Sequence, residues 1–99
     1  MAAALPVPSI SCAIFCKSAG GDHRLLIGTN TNPGRLYLYE VIGLTQLASL
    51  DSIPDSIKFM CTMPVSGYVM IGTNSKLIVV SIGRASMEVT FDSAQLFQA

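Results

Sequence analysis

The side chains of this chain whose type and spacing could serve catalysis or metal binding include His23, Cys12, Cys16, Cys61, Asp51 and Asp55. His23 is the only histidine, so a triad built on an imidazole base has to centre on it. It lies in a turn-forming stretch between Asp22 and Arg24 with no nucleophile beside it, and reads as an exposed turn residue. Cys12 and Cys16 are four residues apart; on a strand that separation is about 13 Å, too far to share one ion, and only a helix would bring them together. A fourth ligand is also missing, so no metal is expected. Asp51 and Asp55 flank Pro54 in what reads as a loop, where carboxylates end one strand and open the next turn more readily than they form an acid/base pair. Gly20-Gly21 and Pro33-Gly34 lack the Gly-Lys-Ser/Thr continuation and the strand-to-helix step of a phosphate cradle, and turn chemistry explains them. Tyr37 and Tyr39 alternate with Leu36 and Leu38, so both rings project on one strand face, either packed within or between sheets or set as a binding platform. No nucleophile, base and orienting group can be assembled from this inventory, which points away from an enzyme and from a cofactor.

These residues sit in an apolar chain. Of 99 residues, 51% are hydrophobic and 12% charged, with six basic and six acidic side chains in balance. Such a composition is globular, yet a chain this short buries a smaller share of its surface than an average domain. Arg24, Arg35, Lys58, Lys76 and Arg84 are scattered singly, which excludes the clustered charge of a nucleic-acid interface. The first sixteen residues are apolar, but they carry no basic start, and Pro6 and Pro8 interrupt the run a signal peptide needs. No stretch approaches the roughly 20 uninterrupted apolar residues of a membrane helix. An odd number of cysteines in apolar surroundings fits reduced thiols, and the expected location is cytoplasmic, with the nucleus as an alternative.

The elements that position these residues repeat. Ile27-Gly28-Thr29-Asn30 recurs letter for letter as Ile71-Gly72-Thr73-Asn74, 44 residues later, and at the same offset Phe15 falls on Phe59. Arg35 to Val41 aligns with Lys76 to Ile82 at an offset of 41, as does Asp51-Ser52 with Asp92-Ser93. Strands are expected at Ser11 to Cys16, Leu25 to Thr29, Arg35 to Val41 and Gln46 to Leu50, then at Ile57 to Thr62, Tyr68 to Thr73, Lys76 to Ile82 and Met87 to Phe91. Tight turns join them, so each unit is an antiparallel meander. Leu25-Leu26-Ile27 and Val69-Met70-Ile71 are apolar on successive residues, which requires cover on both faces of each sheet. The Gly after each run removes a side chain where the strand is crowded.

On these residues the chain resembles the WD40-like β-propeller family. The period lies in the range of about 40 to 45 residues for four-stranded blades, and Leu25 to Val41 and Val69 to Ile82 look like the second and third strands of a blade. The Gly-His pair and Trp-Asp ending of the standard repeat are absent, Tyr39-Glu40 and Val80-Ser81 standing at the end of the third strand. The family's His-to-Asp hydrogen-bond network therefore has no counterpart here. The resemblance implies an all-β fold of two consecutive four-stranded antiparallel blades, an incomplete propeller, with residues 1–8 as a tail, 9–52 and 53–93 as units, and 94–99 as a second tail or the opening of a third unit. Propellers close with about four to eight blades, so two imply a fragment or short isoform of a longer protein, an assembly of copies, or capping by a partner.

The expected role is a non-enzymatic protein–protein interaction or scaffold module in a regulatory or signalling protein. Its partners are proteins, further blades or other copies of itself, with neither nucleic acid nor membrane. The candidate contact residues lie on the loops of one rim: Asn30, Thr31, Asn32, Asp51, Asp55 and Asn74. A competing reading is a small α/β regulatory or ligand-binding domain assembling through its sheet, with Asp51 to Thr62 and Asp92 to Phe97 helical behind Asp N-caps.

Overall fold

The computed structural model describes residues 9–93, which form eight strands and, among the described residues, no α-helix. They are β1 (Ile10–Lys17), β2 (His23–Thr29), β3 (Gly34–Glu40), β4 (Gln46–Ile53), β5 (Ile57–Thr62), β6 (Tyr68–Thr73), β7 (Leu77–Ile82) and β8 (Met87–Asp92). Two sheets result, β1-β2-β3-β4 and β5-β6-β7-β8, each with every neighbouring pair antiparallel. Every expected strand is present with ends shifted by a few residues at most. The helix expected at Asp51 to Thr62 in the α/β alternative is not formed, because Asp51 lies inside β4 and Ile57 to Thr62 is β5; β-branched residues and Pro54 favour extended chain there. Residues 94–97 of the second helix, expected at Asp92 to Phe97, lie outside the described residues. The tails 1–8 and 94–99 lie outside the described residues.

Period-two alternation gives each sheet two faces. On the first sheet, Cys12, Ile14, Cys16, Leu26, Leu36 and Leu38 share one side, here called its front. Leu26, Leu36 and Leu38 are fully buried and join one core with Ile57, Val69, Ile71, Ile78, Val80 and Ile82 of the second sheet. Each such side chain contributes about 1.5–3 kcal/mol on burial. The sheets come closest along β1 and β5, and only a light contact links β4 to β8. On the back of the first sheet a separate cluster holds Ile27 and Tyr39, with Leu25 and Tyr37 packed against them. The two tyrosines are thus packing residues, as the cross-strand pairs Ile27 with Tyr37 and Leu25 with Tyr39 require.

The recurring tetrapeptide has a distinct task at each of its first three positions. Ile27 and Ile71 face the back of their sheets, and Gly28 and Gly72 face the front. Thr29 Oγ1 accepts the N–H of Arg35 at 3.0 Å, and Thr73 Oγ1 accepts the N–H of Lys76 at 3.1 Å, so the same hydroxyl closes the same turn in both sheets. Gly28 is needed because Ile57 Cγ2 of the next sheet stands 2.9 Å from where a Cβ would be.

One proposed match is corrected by the register. Cys12 pairs with Gly28 and Phe59 with Gly72, so Phe59 occupies the place of Cys12, at an offset of 47, while Phe15 corresponds to Thr62. Phe15 and Phe59 therefore face opposite sides of their sheets. The cause is the hairpin between the first two strands: Cys12 and its partner Gly28 are 28 − 12 = 16 positions apart, Phe59 and Gly72 72 − 59 = 13, so the hairpin of the first unit is longer by three residues.

Candidate functional site

Repeat equivalence shows how the sheets stack. Leu26, Leu36 and Leu38 on the front of the first sheet correspond to Met70, Leu77 and Val79 of the second. Ile27, Tyr37 and Tyr39 on its back correspond to Ile71, Ile78 and Val80. The buried interface thus joins the front of one unit to the back of the next, an arrangement in which the two surfaces are different patches. A side chain secures it: Arg24, 8% exposed, donates from Nε and a terminal nitrogen to the Arg84 carbonyl in the turn between β7 and β8, at 3.1 and 2.9 Å. Ser11 Oγ donates to the Ile57 carbonyl at 2.6 Å, tying β1 to β5.

The front of the second sheet has no such cover among the described residues. Phe59 is 46% exposed and Leu77 43%, with Cys61, Met70, Val79 and Phe91 partly exposed between them. The equivalent residues Leu36 and Leu38 in the first sheet are fully buried. The Phe59 ring lies over Gly72, filling from its own sheet the notch that Ile57 fills over Gly28.

At one rim the structure gathers most of the predicted contact residues. Lys58 Nζ reaches Asn30 Oδ1 at 3.5 Å, Ser56 Oγ donates to the Thr31 carbonyl at 3.4 Å, and Ser75 Oγ donates to Asp55 Oδ2 at 2.9 Å. Desolvation acts against the Asp55 carboxylate, but hydrogen bonds from the Ser75 and Thr73 hydroxyls and from the N–H groups of Asn74 and Ser75 outweigh it and hold its pKa below the ordinary value. Asn32 is exposed in the same turn as Thr31. Asp51 does not join them; it is a strand residue of β4, because pairing of β3 with β4 continues to Gly34 and Ile53.

The opposite rim carries what the sequence reading missed. Where β1 and β5 end, a cleft of about 360 Å³ is lined by Phe15, Lys17, His23, Met63, Val65 and Tyr68 among others. Phe15 is 70% exposed and Val65 61%. The available signal was the apolar Met63 and Val65 inside a turn. Gly67, at φ +91°, lets that turn reach back to the first sheet, its N–H donating to the Lys17 carbonyl at 3.1 Å.

The chemistry-bearing residues remain dispersed. Cys12 and Cys16 lie on the front of the first sheet and Cys61 on the front of the second, and no group of three or more His, Cys, Asp or Glu among the described residues is placed to hold a metal ion. Burial pushes the Cys16 thiol above its ordinary pKa, against the opposing pull of the Arg24 charge. No helix among the described residues is long and apolar enough to cross a membrane. Compared with known proteins, the chain matches no family model, no curated protein and no solved structure.

Proposed function

We propose that the chain is a non-enzymatic protein–protein interaction module: two consecutive blades of a WD40-like propeller, serving a regulatory or signalling scaffold. The observation that supports this best is the front-to-back stacking of equivalent sheets, closest along their first strands. Stacking of this kind is open-ended, since each unit offers a front to the next and a back to the previous one. An apolar front is left on the second sheet, which suits it to meet another protein surface. The rim residues Asn30, Thr31, Asn32, Asp55 and Asn74 and the cleft at the opposite rim would then flank that contact, where blade loops meet partners.

A tandem fusion of two copies of the chain tests the reading. Blades in series bury the front of the first copy's second sheet against the following copy, so the fusion melts at a higher temperature than a single copy, with Phe59 and Phe91 of that first copy protected. A fusion that melts at the single-copy temperature would overturn it.

A further inference from the structure

We propose that the cleft at the end of β1 and β5 is a docking site for an extended peptide segment of a partner protein, one that presents a bulky apolar side chain and, two residues away, a carboxylate. The inference rests on the reading of the chain as an interaction module and names what one of its surfaces takes. Of the eight large hydrophobic residues exposed among the described ones, four, Phe15, Met63, Val65 and Tyr68, line this one cleft of about 360 Å³. Exposed apolar side chains scattered singly are ordinary, whereas a gathered set of them marks a binding surface. The walls are set before any ligand arrives. The Gly67 N–H donates to the Lys17 carbonyl at 3.1 Å, the Ile82 N–H to the Gly67 carbonyl at 2.6 Å and the Met63 N–H to the Tyr68 carbonyl at 3.3 Å. A cleft built from tied backbone loses little conformational freedom on binding.

The charge at the cleft selects the occupant. Lys17 and His23 are cross-strand partners on β1 and β2, and both line it. Among the described residues neither side chain has a hydrogen-bond or ion-pair partner, and no Asp or Glu lines the cleft. Asp22, beside His23 in the chain, is engaged by Ser18 Oγ at 3.0 Å and by a terminal nitrogen of Arg24 at 4.0 Å. An ammonium offers three donors and an imidazole donates from at least one ring nitrogen in either protonation state, so the pair calls for an acceptor from outside. No guanidinium lines the cleft, so the planar fork that favours phosphate is absent and a carboxylate is the matching anion. Spacing completes the match. Phe15 and Lys17 project on one face of β1, two residues and about 6.8 Å apart, which is also the separation of same-face side chains in an extended peptide.

The test is a nuclear magnetic resonance titration of the 99-residue chain with capped heptapeptides of serine and glycine that carry leucine or phenylalanine at the third position and glutamate at the fifth. The glutamate peptides are expected to give saturable shifts of the Met63 and Val65 methyls and the Lys17 and Gly67 amides, with a dissociation constant on the order of 0.1–1 mM. Replacing glutamate by glutamine should weaken binding about 3- to 10-fold, and replacing the apolar residue by alanine should abolish it. Two variants at exposed positions, each first checked by circular dichroism for an unchanged fold, assign the contacts. Lys17→Gln with His23→Gln should erase the preference for glutamate over glutamine while keeping the apolar requirement, and Val65→Asp should abolish binding. Should Val65→Asp fail to fold, Phe15→Ser replaces it. Absence of saturable shifts at the cleft, equal binding of the glutamate and glutamine peptides, or a preference that survives the double variant would each overturn the proposal. So would cleft signals that move with protein concentration and not with peptide, which would give the cleft to a second copy. The tandem fusion reads the stacked sheets independently: if it melts above the single copy while no peptide binds, the blade-pair reading stands and only the cleft proposal falls.

Discussion

Ile57 on β5 places its Cγ2 methyl 2.9 Å and its Cδ1 methyl 3.2 Å from where a Cβ on Gly28 of β2 would stand. The notch on one sheet and the branched side chain on the next are therefore a fitted pair. Gly28→Ala tests this with a sign. At an open strand position the change stabilises by roughly 0.4–1 kcal/mol through the unfolded chain. Here it is expected to destabilise by about 1–2 kcal/mol, since Cγ2 of a β-branched residue cannot move without a rotamer change. In the double variant with Ile57→Ala the penalty should vanish, which a urea-denaturation cycle measures. A stabilising Gly28→Ala contradicts the fit.

Arg24 provides the second tie between sheets. Removing it in Arg24→Ala leaves the Arg84 carbonyl without its two charge-assisted donors and is expected to cost about 1.5–3 kcal/mol. Arg24→Lys should recover only part of this, because an ammonium cannot present the same planar fork. Equilibrium unfolding of both variants checks the prediction, and a change within about 0.5 kcal/mol for Arg24→Ala would place the residue among ordinary surface positions.

Asp55 links stability to acid. Its folded pKa lies below the ordinary 3.8, with the opposing desolvation outweighed by the hydroxyl and N–H donors around it. Its contribution is thus fully present above the unfolded value and lost as pH falls through the lower, folded one. Asp55→Asn should flatten the acid limb of the stability profile between the unfolded and the folded value while leaving the neutral region nearly parallel. Identical acid limbs in the two proteins would show that the donors do not bind the carboxylate more tightly than water.

Cys16 should resist alkylation. It is buried, its thiol is pushed up chiefly by desolvation, and Cys12 and Cys61 are more exposed. Mass spectrometry of the native protein with a small alkylating reagent should show Cys16 modified last, at a rate that rises sharply with denaturant. Early modification of Cys16 would mean that the core between the sheets opens readily.

Much of the fold is written locally in this chain. Apolar runs such as Leu25-Leu26-Ile27 and Leu77 to Val80, bounded by Gly, Asn and Ser, mark strands whatever surrounds them, and the Ile-Gly-Thr recurrence marks the same turn twice. The partnership of Phe15 with Phe59 misled because sequence offset follows turn length, whereas face follows pairing, and a three-residue shift in an odd direction turns a side chain to the other side. Asp and Ser disfavour strands, so Asp51 reads from sequence as a loop residue, but pairing with β3 carries the chain to Ile53. Of the candidate site, the polar rim was legible from turn residues alone. The apolar cleft at Phe15 and Val65 was not, since it depends on the approach of two turns distant in sequence.

The central claim is that the sheets stack front to back. Methyl-resolved nuclear Overhauser spectroscopy of the labelled chain, at a concentration where it is monomeric or under the Leu77→Lys substitution, reads it directly. Stacking as described predicts cross-peaks from the Ile57 methyls to the Gly28 Hα protons and from Leu26 and Leu38 methyls to those of the Val69, Ile71 and Val80 core, with none from Met70 or Val79 to Leu26 or Leu38. Cross-peaks from Met70 and Val79 to Leu26 and Leu38, with none between Ile57 and Gly28, would contradict it.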